Sequence, residues 1–208
     1  MNKGRLEAFS DGVLAVIITV MVLEMKSPQG TSLASLRPVV PIFLSYILSF
    51  VYIGIYWNNH HHLLHATQRV NGATLWANLH LLFWLSLVPF TTAWMGENHF
   101  DSWPVAVYGI VLLLAAIAYF ILTRALIRLH GQGSPLAMSI GSDKKGQISI
   151  AINAAAIPLA FARPVDGWRM LCNRCDHVAD PRPPHREEAG GVSRCPFERQ
   201  KQLHILGA

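Results

Sequence analysis

The sequence predicts an all-α polytopic membrane protein with five membrane-spanning helices in residues 1–162, followed by a tail of different character over residues 163–208. Three observations carry this. Pro38 to Trp57 and Pro104 to Thr123 are each twenty uncharged residues long, matching the roughly 20 apolar residues that a bilayer core requires. Charged residues make up only 14% of the chain, against about 25% in ordinary soluble domains. The basic residues also alternate by loop. With a cytoplasmic N-terminus, Lys3, Arg5, Arg69, Arg124, Arg128, Lys144 and Lys145 fall inside and only Lys26 and Arg37 outside. That is the direction of the positive-inside rule, and it predicts a multi-pass protein of the cell membrane.

The first span is Arg5 to Met25, RLEAFSDGVLAVIITVMVLEM. Only twelve uncharged residues, Gly12 to Leu23, separate Asp11 from Glu24. At 1.5 Å per residue they do not cross a bilayer core. Either Phe9, Ser10 and Asp11 lie at membrane depth, sheltered by other helices, or Asp11 caps the helix at the water interface. No cleavable signal peptide is expected, because this run contains Asp11 and has no small-x-small site behind it.

A polar loop with Pro28 and Gly30 leads to the second span, Pro38 to Trp57, where Tyr52, Tyr56 and Trp57 gather as an interfacial belt does. NNHHHLLH follows, from Asn58 to His65. The third span runs from about Ala73 to Met95 with His80 inside it, the fourth is Pro104 to Thr123, and the fifth is Gln147 to Ala162 with Asn153 and Pro158.

The tail differs in kind. Residues 163–208 hold eight of the seventeen Lys and Arg and all three cysteines, so the basic pI of 9.4 is no nucleic-acid signal. The tail reads as disordered, as a zinc site on Cys172, Cys175, His177, His185 and Cys195, or as out-of-frame sequence. Codons for Cys172 to Glu187 can be chosen so that the frame one base on encodes an apolar run ended by proline and a basic cluster. That fits a sixth span lost where the chain leaves its frame near Arg163–Val165.

At 100° per residue, Val16, Thr19, Val20 and Leu23 share one face of the first helix, with Asp11 about 140° round from Val16. This face either packs against lipid or other helices, or forms a smooth apolar surface with a single hydroxyl. HHHLLH, His60 to His65, has spacings that place ligands on one helical face, as a membrane-embedded metal enzyme would use. The other expectation is a structural polar network of Asp11, Trp57 and these histidines, since buried polar groups must be paired. A proton-coupled transporter using Asp11 and histidine is a third reading. No P-loop, GxGxxG or carbonyl-filter motif is present, and no cofactor is implied.

The R-x-x-x-F-S-D pattern at Arg5, Phe9, Ser10 and Asp11, opening a first membrane helix, resembles the endosomal/lysosomal potassium channel family (transmembrane protein 175) in its prokaryotic branch. The Trp57–His60/His61 region and LHLLFWLSLVPFTTAWMGENHF after it are similar to that branch too, and the resemblance covers roughly residues 3–162. It implies a channel rather than an enzyme, with six-helix subunits assembling as a homotetramer in the lipid bilayer, conducting K⁺ and binding no nucleic acid. It also implies that the first helix lines the pore, with Val16 as the narrowest apolar ring, Val20 and Leu23 as further rings, and Thr19 as a hydroxyl ring. Arg5, Phe9, Ser10, Asp11, Trp57, His60 and His61 would form the network that fixes this helix. The tail departs from the family, because a sixth helix is expected where residues 163–208 stand.

Overall fold

The computed structural model describes residues 3–131, together with residues 151, 154, 155, 157, 158 and 161. The described residues are helical, without strands: α1 Lys3–Leu23, a 3₁₀ turn Leu33–Val39, α2 Val40–His65, α3 Gly72–Ser86, α4 Val88–Glu97 and α5 Ser102–His130. They supply four segments long and apolar enough to cross a membrane, with α3 and α4 counting as one.

α1 begins well before its apolar run, so Phe9, Ser10 and Asp11 lie inside the helix and not at its cap. It buries Leu6, Ser10, Leu14, Ile17 and Met21, a stripe at three- and four-residue spacing. Pro28 and Gly30, with φ of 115°, turn the chain back.

α2 carries Pro41 in its first turn, where a missing N–H costs nothing. It runs on to His65, so NNHHHLLH is its last two turns. The uncharged run understates the span, because polar residues continue the helix where they find partners.

The expected third span is broken. Pro89 has no N–H to offer the preceding turn, and Leu87 N–H bonds to Trp84 O at 3.2 Å in a tighter turn, which separates α3 from α4. Asn71 starts α3, its Oδ1 accepting from Thr74 N–H and Thr74 Oγ1–H at 2.9 Å each. α5 extends beyond the expected Thr123 by nearly two turns, through Arg124 and Arg128.

α5 packs on α3 and α4, α2 packs on α4, and α1 leans on α2, α3 and α4. Where the surroundings are lipid, apolar burial discriminates little, and close approach and interhelical hydrogen bonds hold helices together. Gly96 supplies the close approach: a Cβ there would stand 2.5 Å from Ser45 Oγ and 2.7 Å from Ile42 Cα. Next to it, Ser49 Oγ lies 2.6 Å from Thr92 Oγ1 and 3.1 Å from Tyr108 OH, tying α2, α4 and α5.

The basic residues converge at one end. Lys3 Nζ donates to His65 O at 3.1 Å, and the amides of Gln68 and Arg69 meet His130 on the last turn of α5. Lys26 lies at the other end, paired with Glu97 at 3.2 Å.

Of the fifth span, the described residues are helical. Phe161 stacks edge-on against Trp103 with ring centroids 4.9 Å apart, and Ile157 lies beside Gly109. The rest of that span, the tail, its cysteines and a sixth helix lie outside the described residues.

Candidate functional site

α1 divides its side chains between two faces, and the sequence-predicted residues sort accordingly. Ser10 points inward and is fully buried. Its hydroxyl donates to Leu6 O at 2.9 Å and accepts from Asn78 Nδ2–H of α3 at 2.9 Å. Asn78 Oδ1 in turn lies 2.7 Å from His60 Nε2 of α2, so that imidazole nitrogen carries the proton and donates. One buried chain, Ser10–Asn78–His60, thus joins three helices. His60 Nδ1 is buried without a partner among the described residues.

A second, partly solvated group runs along the α1–α2 seam. Trp57 Nε1–H donates to Asp11 Oδ1 at 3.0 Å. The Trp57 indole stacks on His61 at 5.8 Å, and His61 Nδ1 lies 3.4 Å from Glu7 Oε1. The structure therefore brings together Ser10, Asp11, Trp57, His60 and His61, in two groups. Arg5 and Phe9 stand apart on the exposed face. Arg5 forms no hydrogen bond or ion pair among the described residues, since four residues of helix carry it away from the Ser10 side.

Asn78 was not anticipated. Its signal was an amide in the apolar stretch LWANLHLLFW, where attention falls on His80 instead. His80 is exposed, and it accepts from Trp84 Nε1–H at 2.9 Å.

The opposite face of α1 is exposed among the described residues. Val16 is 59% exposed and Leu23 79%, on one line with Arg5, Phe9 and Thr19. Val20 is half-buried at the edge of this face, where it lines a cavity of about 510 Å³ with Ile17, Pro89, Phe90 and Trp94. Thr19 Oγ1–H donates to Val16 O at 2.9 Å. The hydroxyl proton is thereby committed to the helix, and the oxygen keeps lone pairs for a cation. The valine and leucine side chains offer an ion no ligands, so a narrow ring of them would exclude ions by dewetting.

Among the described residues, no three His, Cys, Asp or Glu side chains are grouped to hold a metal. Around the helix, 100° per residue sends His60 to Asn78 and His61 to Glu7, so the histidine run splits instead of converging.

The family model described as endosomal/lysosomal potassium channel TMEM175 matches residues 5–89, which hold nearly all of α1, then α2, α3 and the start of α4. A protein of Chryseobacterium, named a potassium channel, is 58% identical over 164 residues, covering 79% of this chain and 85% of its own length. The chain belongs to the TMEM175 family. A Streptomyces collinus potassium channel is 36% identical over 57% of this chain and 62% of its own length. The bovine TMEM175, named a proton channel, is 30% identical over 78% of this chain but only 38% of its own length. Among solved structures, the Chamaesiphon minutus TMEM175 homologue, titled a lysosomal potassium-selective channel, superposes with a TM-score of 0.72 at 29% identity, covering 85% of this chain and 96% of that one. The relatives in this TMEM175 family are named ion channels, not enzymes.

Proposed function

We propose that the protein is a potassium-conducting channel of the cell membrane, a homotetramer whose pore is lined by the exposed face of α1. The observation that carries this is the two-sidedness of α1. One face is pinned to α2 and α3 by polar contacts, while the other, with Val16, Thr19 and Leu23, is left exposed among the described residues. Four copies of that face around an axis give apolar rings at Val16 and Leu23, flanked by Val20, with the Thr19 hydroxyls between. Opening widens the Val16 ring enough for a partly hydrated ion. The Thr19 oxygens then favour K⁺, which sheds water more cheaply than Na⁺. The bases gathered at the end that holds the N-terminus support a cytoplasmic N-terminus.

Potassium is preferred over protons because the bacterial relatives of higher identity carry that name, whereas the matched vertebrate proton channels are more distant and much longer. The test is K⁺ flux into liposomes, with Na⁺ and a proton gradient as separate arms. Flux above empty liposomes in the K⁺ arm supports the reading, and flux only with protons replaces it. We further propose that residues 1–162 form the channel domain and that 163–208 replace a sixth helix by a change of frame. A frame-restored chain run beside this one then conducts more.

A further inference from the structure

α5 leaves one line of side chains outside the bundle of described residues. Ile110, Leu114, Ile117 and Ile121 recur at three and four residues, each exposed or half-buried, and the same line ends in exposed Arg124 and Arg128. An apolar face of about three turns thus turns cationic in the last two turns of the helix. The Arg124 guanidinium lies 4.8 Å from the Phe120 ring centroid, which holds it close to the helix. Arg69 joins the same end, because the amides of Gln68 and Arg69 both donate to His130 Nε2 at 3.2 Å. Among the described residues, none of these three guanidinium groups has a hydrogen-bond or ion-pair partner. Glu97 and Asp101 sit at the opposite end of α4 and α5, so neither acid competes there.

Unpaired guanidinium groups beside a lipid-facing apolar stripe match a phosphate carried on acyl chains. Guanidinium binds phosphate oxygens through paired N–H donors, and the chains can lie along Ile121 and Ile117. We propose that Arg124 and Arg128 form a headgroup site for an anionic phospholipid of the phosphatidylglycerol type, with Arg69 adding positive charge at the same end of the bundle. The headgroup must carry net negative charge, because the ammonium of a zwitterionic lipid would meet these cations. The site is independent of which ion the protein conducts.

The test uses purified full-length protein and counts lipids retained in native mass spectrometry, with phosphatidylglycerol against phosphatidylcholine of the same chains. The expected result is preferential retention of phosphatidylglycerol, falling roughly fivefold for each arginine replaced by glutamine. Arg124→Lys with Arg128→Lys keeps most of the preference, and Arg5→Gln leaves it unchanged. Equal retention of the two lipids overturns the proposal. So does an undiminished preference in R124Q/R128Q that elutes as a single species with unchanged helicity. Should the double variant misfold, the single variants at these exposed positions decide by the same readout.

Discussion

Asn78 of α3 donates its side-chain amide to the hydroxyl of Ser10 in the middle of α1, at 2.9 Å, with both residues fully buried. This contact and the one from Asn78 Oδ1 to His60 make a single amide the junction of three helices. Replacing Asn78 by leucine leaves both His60 nitrogens buried without partners among the described residues, and the Ser10 hydroxyl with only its bond to Leu6 O. The expected loss is about 1–3 kcal/mol of stability, measured as a lower midpoint of unfolding in SDS titration from detergent micelles. An unchanged midpoint would mean that the chain of contacts does not hold α1.

Thr123 provides the opposite case. Its hydroxyl is buried and has no hydrogen-bond partner among the described residues. Thr123→Val keeps the shape and removes the unpaired group, so stability in the same titration is unchanged or rises by up to about 1 kcal/mol. A clear loss would show a partner that the hydroxyl relies on.

Gly96→Ala sets a methyl group 2.5 Å from Ser45 Oγ and 2.7 Å from Ile42 Cα, a backbone atom that cannot yield alone. α4 must move away from α2, straining the Ser49–Thr92 contact beside it. The expected cost is about 1–3 kcal/mol, typical of overpacking. Gly54→Ala, with open space around the new methyl, serves as the matched control and should be near neutral.

At the proposed constriction, Val16→Leu lengthens the apolar side chain. The prediction is lower K⁺ flux and a higher K⁺ over Na⁺ ratio, because a narrower ring admits less hydrated sodium. Thr19→Val keeps the bulk, removes the hydroxyl oxygens and should lower the ratio. Equal ratios in wild type and Val16→Leu liposomes would count against Val16 as the narrowest point.

The membrane class was legible because uncharged runs report burial in lipid directly. Span lengths were not, for a physical reason. α2 continues through Asn58 to His65 and α5 through Arg124 and Arg128, since polar groups at a helix end find partners or reach toward water while the helix persists. The break at Leu87 was written in Pro89, yet the hydropathy around it is continuous and hid it. At the site, Asp11 and Trp57 could be paired from their level in the membrane, and they do meet at 3.0 Å. Asn78 could not be placed, because an amide inside an apolar run does not reveal which neighbouring helix it faces. The Arg5 and Phe9 side chains share a motif with Ser10 and Asp11 but not a direction, and the family resemblance implied one network where the helix makes two faces.

The exposed face of α1 is the proposed wall of a potassium pore. Residues 1–162 contain no cysteine, so Val16→Cys with the tail cysteines changed to serine introduces one addressable thiol. The decisive measurement is K⁺ flux into liposomes by that variant before and after a charged methanethiosulfonate reagent, with Leu79→Cys on α3 as an exposed control away from this face. Modification at position 16 is expected to abolish or strongly alter flux, and modification at position 79 to leave it unchanged. Unaltered flux through a channel whose Val16→Cys thiols are shown by mass spectrometry to be fully modified would contradict it.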